Sequence, residues 1–148
     1  MAEFVPAEPF DLVIFGGTGD LARRKLLPAL FHRDCDRQLS DDSRIIAVAR
    51  DELDAEGYRV AVHAALGERV NGADDPQSWA RFASRLHYLQ MDATGEACWD
   101  PLVALLDPQR ARIRVFYLAT SPSLFGPIAT GLAASGIRDA RSRIVLEK

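Results

Sequence analysis

Five short apolar runs punctuate this chain, and between them apolar residues recur at helical intervals instead of alternating. Asp11–Phe15, Arg44–Arg50, Leu86–Met91, Ile113–Ala119 and Arg143–Glu147 read as strands, rich in β-branched and aromatic residues. Asp20 to about Arg37 reads as a helix with Leu27, Leu30 and Phe31 on its apolar face, and Pro28 inside it predicts a kink. Asp54–Val70 reads as a second helix, with Val60, Ala64 and either Ala61 or Ala65 facing inward; Gly57 and Gly67 weaken it. Residues 71–77 (NGADDPQ) read as a loop, and Trp79–Arg85, Glu96–Leu106 and Ser123–Ser135 as helices, the last closed by Gly136. Strands separated by helices need crossover connections and pair in parallel. With right-handed crossovers, the expected fold is an α/β, doubly wound, mostly parallel sheet in the order 3-2-1-4-5. Its ligand crevice would lie beside the first and fourth strands. A single domain over 1–148 is expected, with residues 1–10 as a flexible arm.

The first strand runs straight into GGTGDLA (16–22), which opens the first helix. A strand, a glycine turn and a helix are the setting of a Rossmann-like dinucleotide fingerprint, and Gly17-Thr18-Gly19-Asp20-Leu21-Ala22 fits its G-x-G-x-x-A form. Glycines there leave no Cβ in the way of a diphosphate. Ala22 lets the helix lie close to the strand, and the helix N-terminus offers free N–H groups and a partial positive charge. A nucleoside-triphosphate loop needs Lys and Ser/Thr after its last glycine, whereas Asp20 follows Gly19. An acid facing phosphate would repel it, so Asp20 is expected to cap the helix.

Composition narrows the class. Charge is −3 and 48% of residues are hydrophobic, so no basic field points to nucleic acid. The first residues are acidic with no basic region, unlike a signal peptide, and no apolar run is long enough to span a bilayer; a cytoplasmic protein is expected. Cys35 and Cys98 read as separate thiols, and His32, His63 and His87 have no metal-ligand spacing, so no metal is expected. Of the 18 basic residues only Lys25 and Lys148 are lysines, which singles out their positions.

The second strand selects between dinucleotides. An acid at its end commonly holds a ribose 2′-hydroxyl, and an arginine suits a 2′-phosphate. This chain has Arg50, then Asp51 and Glu52. A guanidinium meets phosphate with two charge-assisted bonds, which favours NADP over NAD, with NAD remaining possible through Asp51. Thr18 can reach the same phosphate. Asp92 ends the third strand, where an adenine edge often lies, or it caps the following helix.

GGTGDLARRKLLPAL (16–30), RIIAVAR (44–50), VFYLATSPSLFGPI (115–128) and RIVLEK (143–148) together resemble the N-terminal part of the glucose-6-phosphate dehydrogenase family, in the family's order and across the whole chain. The resemblance implies NADP-linked oxidation of glucose 6-phosphate at C1 to a 6-phosphogluconolactone, the first step of the pentose phosphate pathway. It implies that Gly16, Thr18, Gly19, Asp20 and Leu21 form the cofactor turn and that Arg50 holds the 2′-phosphate. Lys25 would lie near cofactor and sugar. Glu147 and Lys148 would match an acid–lysine pair, with the lysine touching substrate and nicotinamide. Ala119-Thr120-Ser121-Pro122 would border the nicotinamide ribose, but the family often has two prolines there, which leaves the path of this turn open. The family's catalytic base, a histidine paired with an aspartate, belongs to a larger following domain absent from this chain. The 148 residues are therefore expected to bind NADP, to bind glucose 6-phosphate weakly or not at all, to be monomeric, and to turn over nothing. The parent enzyme is expected to be a homo-oligomer.

Two rivals stand beside this reading. A short-chain reductase needs Tyr-x-x-x-Lys, but Tyr58, Tyr88 and Tyr117 are followed four residues later by Val62, Asp92 and Ser121. A non-catalytic dinucleotide-sensing regulatory module fits the absent base equally well.

Overall fold

The computed structural model describes residues 8–67, 72, 75–93, 99–106 and 112–146. Strands β1 (Phe10–Phe15), β2 (Arg44–Ala49), β3 (Leu86–Gln90), β4 (Ile113–Leu118) and β5 (Arg143–Leu146) form one sheet in the order β3-β2-β1-β4-β5. Every neighbouring pair is parallel, with Val13 opposite both Ile46 and Phe116. The expected doubly wound order is the one the chain adopts.

Because side chains alternate across a strand, each central strand feeds two cores. Leu12, Ile14, Ile45 and Ala47 pack on one face against Phe31 of α1 (Leu27–Cys35), Tyr58 of α2 (Ala55–Gly67) and Phe82 of α3 (Pro76–Ala83). Val13, Phe15, Ile46 and Val48 pack on the other against Leu102 and Leu106 of α4 (Asp100–Leu106) and Ile128 and Leu132 of α5 (Phe125–Ser135). Each buried Val, Leu, Ile or Phe among them contributes about 1.5–3 kcal/mol.

The structure departs from the sequence pattern at several points. Pro28 acts through a π turn: Ala22–Leu26 is π-helical, and the Leu27 N–H donates to Ala22 O. A proline ring crowds the carbonyl four residues back, and a wider turn relieves that crowding. Helix α2 buries Tyr58, Val62 and Leu66, whereas Val60 is 63% exposed and Ala61 and Ala64 face solvent. The inward face is thus set by the largest apolar side chains, not by the small ones chosen from the pattern. Helix α3 starts at Pro76, earlier than expected, because Asp75 caps it by accepting from Ser78 N at 3.0 Å and Ser78 Oγ at 2.7 Å. The expected start of the next helix at Glu96 falls outside the described residues. Within the expected arm, residues 1–7 are also outside them, Pro9 O accepts from Ile113 N, and Phe10 opens β1.

Buried charge gathers at the amino edge of the sheet. Asp11, fully buried, accepts from Arg44 Nε and Nη2 at 2.8 and 2.9 Å. Before β3, Arg85 donates to Asp34 at 3.0 Å and to the carbonyls of Ser40 and Ser43, which pins the α1–β2 connection. The carboxyl edge is left for the site.

Candidate functional site

At the carboxyl edge, β1 ends at Phe15 and the chain turns sharply. Gly16 and Gly17 N–H both donate to Val48 O, at 2.9 and 3.3 Å, and Gly19 N–H donates to Gly16 O at 2.9 Å. Gly16 has φ +84°, and a Cβ there would lie 2.8 Å from Ala119 O. A Cβ on Gly17 would lie 2.5 Å from the Ala47 side chain. Glycine at 16 and 17 therefore lets the turn pass between β4 and β2 without contact strain. The first helical bond is Arg23 N–H to Gly19 O at 3.1 Å. The amides of Asp20, Leu21 and Ala22 precede it, in the position where a helix leaves N–H groups for an anion.

A cleft of about 330 Å³ opens over this turn, at the point where strand order reverses between β1 and β4. Gly16, Thr18 and Gly19 form its floor at one end. Arg50 and Asp51 line it where β2 ends, and Asp92 where β3 ends. Ala119 and Thr120 line it beyond β4, followed by Leu124, just before α5, and Ile128 of α5. Arg50 is exposed, and no described residue bonds its guanidinium.

Nine of the residues singled out from the sequence, Asp51 and Ser121 among them, thus meet at one cleft. Of the others, those among the described residues stand apart from its lining. Gly17 packs down on Ala47. Asp20 pairs with Arg24 at 2.8 Å, in place of the expected cap. Leu21 packs against the α1–α2 core, and Lys25 is exposed on the π turn. Glu147 and Lys148 lie outside the described residues, as does Cys98. The turn whose path was open runs from Thr120 through Ser121 into a 3₁₀ turn, Pro122–Leu124, closed by Leu124 N–H to Ser121 O at 3.0 Å, and so into α5.

Sequence reasoning missed the supports beneath the cleft. Tyr58 is buried on α2 and its hydroxyl donates to Gly17 O at 2.9 Å; burial, then the neighbouring Tyr88 hydroxyl, raise its pKa and keep it a donor. The Tyr58 ring stacks on Tyr88 of β3, with centroids 5.2 Å apart. An aromatic on the amphipathic face of the second helix was the available signal, obscured by the small residues read as that face. Met91, in the cleft wall, sits just past the end of β3 and was legible only from topology. None of the three histidines lines the cleft: His63 stacks on Trp79 at 4.4 Å, His87 is half-buried in β3, and His32 is exposed on α1.

The family model "Glucose-6-phosphate dehydrogenase, NAD binding domain" matches residues 13–148. The chain is 49% identical over 148 residues to a glucose-6-phosphate 1-dehydrogenase of Mycolicibacterium smegmatis, covering 97% of this chain and 30% of that protein. It is 42% identical over 148 residues to one from Rhizobium meliloti, covering 99% and 30%. The fold superposes with TM-score 0.80 on a crystal structure of glucose-6-phosphate 1-dehydrogenase from Mycobacterium avium, at 32% identity, covering 95% of this chain and 30% of that one. A second structure, a glucose-6-phosphate dehydrogenase in complex with its substrate glucose 6-phosphate, gives TM-score 0.81 at 28% identity, covering 99% and 31%. The chain spans about 30% of the length of the curated relatives it matches.

Proposed function

This chain belongs to the glucose-6-phosphate dehydrogenase family, as the match over residues 13–148 shows, and from that premise we propose that it is an NADP-binding cofactor domain serving the oxidation of glucose 6-phosphate. The single observation that carries the reading is the cleft itself: a glycine floor and helix N-terminus lie at one end and the exposed Arg50 guanidinium at the other.

The residues present fit the cofactor. Gly16 lies where any Cβ would meet the Ala119 carbonyl, so the turn keeps backbone, not side chain, at the cleft floor. The amides of Asp20, Leu21 and Ala22 are the donors we assign to the diphosphate, with Thr18 beside them. Arg50 is assigned to the 2′-phosphate, where its planar fork can make two bonds. We assign Asp92 to the adenine end, and Ala119 and Thr120 to the nicotinamide ribose. NADP, when bound, supplies a hydride acceptor for C1 of the sugar. Lys25 and Lys148 are the cations we assign to the sugar phosphate, and Glu147 and Lys148 are assigned to the cofactor.

Removing the hydroxyl proton of the sugar needs a base. With His32, His63 and His87 all away from the cleft lining, that group is assigned to a part of the family's length that this chain does not span. The 148 residues should bind cofactor and leave glucose 6-phosphate unoxidised.

Calorimetric titration with NADP and NAD tests the reading. NADP should bind more tightly, and Arg50→Ala should weaken NADP by about tenfold to a hundredfold, the scale of a charge-assisted bond, with NAD little changed. Equal losses for the two cofactors would remove Arg50 from the 2′-phosphate. Binding of neither by the unaltered chain would remove the cofactor assignment altogether.

A further inference from the structure

The β2–α2 turn is held from below by its neighbour strand, carbonyl by carbonyl. Tyr88 Oη donates to Asp51 O at 2.6 Å and lies 3.3 Å from Ala49 O. Gln90 Nε2 donates to Arg50 O at 3.3 Å. The Met91 N–H, at the end of β3, donates to Ala49 O at 2.8 Å, and the Leu53 N–H donates to Asp51 O at 3.0 Å. Three successive carbonyls, Ala49 to Asp51, are therefore fixed, two of them by side chains of β3. Burial, then the Asp51 carboxylate, raise the Tyr88 pKa, so the phenol stays a donor at neutral pH.

This matters because the side chains borne by that backbone are chemical opposites. Arg50 and Asp51 both line the cleft. A 2′-phosphate calls for the guanidinium and a free 2′-hydroxyl for the carboxylate. Turning one peptide in this segment would exchange which of the two faces the ligand. We propose that Tyr88 and Gln90 are positioning residues for cofactor selectivity: by fixing the Arg50 and Asp51 carbonyls they keep Arg50 presented to the 2′ position and so bias the site toward NADP over NAD. The inference rests on the cofactor reading above.

The neighbouring tyrosine supplies a built-in contrast. Tyr58 stacks on Tyr88 but bonds Gly17 O, in the turn assigned to the diphosphate, which NADP and NAD share. Its loss should reduce both affinities together. Loss of the Tyr88 or Gln90 bond should change their ratio, which a merely structural role would not do.

The test is calorimetric titration of NADP and NAD into the wild-type chain, Tyr88→Phe, Gln90→Leu and Tyr58→Phe. Tyr88→Phe and Gln90→Leu should each narrow the NADP-to-NAD affinity ratio by about threefold to tenfold, the worth of one hydrogen bond in preorganisation. Tyr58→Phe should weaken both cofactors with the ratio unmoved. Gln90 is exposed, so Gln90→Leu decides the matter if Tyr88→Phe does not fold. A wild type that binds NADP, with a ratio unchanged in both β3 variants or with both affinities falling in step, overturns the inference alone. A wild type that binds neither dinucleotide overturns the cofactor reading and the inference with it.

Discussion

A methyl group on Gly16 would have nowhere to go: φ is +84° and the Ala119 carbonyl oxygen would stand 2.8 Å away. Gly16→Ala should therefore cost about 1–3 kcal/mol in urea unfolding and weaken NADP in titration, because the floor of the cleft must shift. Unchanged stability would mean that the turn relaxes without loss. His87 offers a different residue-scale test. Its pKa is lowered, first by burial and then by Arg44 of β2 and Arg59 of α2, with Arg112 adding and Asp11 of β1 opposing. A lowered pKa means that the unfolded chain binds more protons than the folded one between the two values. Stability should thus be unaffected by His87 above about pH 6.5 and fall as pH drops below that value, levelling off below the folded pKa. His87→Gln should flatten that part of the stability–pH curve. An identical acid limb in the variant would show that the ring titrates alike in both states.

Elements were legible where a single property decided them. The strands were found because fully buried parallel strands must be apolar throughout, and β1 to β4 came within a residue or two of their positions. The glycine turn was legible because φ and close approach leave no other residue type. What escaped was tertiary. The face of α2 depends on which residues have a partner across the sheet, so Tyr58 beneath Gly17 outranks the small residues near Val60. The π turn before Pro28 is one of several ways a helix accommodates a proline, and the chain alone does not choose. The salt bridge between Arg85 and Asp34 joins residues far apart in sequence, with side chains 3% and 2% exposed. Arg85→Leu should cost about 3 kcal/mol, since it leaves the buried Asp34 carboxylate with only Arg81 beside it, at 3.3 Å, and frees the carbonyls of Ser40 and Ser43. A loss below about 1 kcal/mol in chemical denaturation would show that the pair carries little net weight.

Across the whole molecule, order is distributed unevenly. β1 and β2 lie between two cores, whereas β5 is exposed along all four residues, with Leu146 54% exposed. Protection against amide exchange should therefore be strongest in β1 and β2 and weakest in β5. The cleft borrows its rigidity from the protected side, since its floor and its Arg50 wall are hydrogen-bonded to β2 and β3. Cofactor binding should then stabilise the chain as a whole. A ligand at a hundred times its Kd adds about 2.7 kcal/mol, which for a chain of this size raises Tm by about 5–10 °C. On the proposed assignment of Arg50 to the 2′-phosphate, NADP should give that shift and NAD, at the same concentration, a smaller one. The same scan on Arg50→Ala should bring the two curves together. Equal shifts from both cofactors in the wild type would mean that the grip lies wholly at the glycine turn, and that the second strand's arginine is only a solvated strand end.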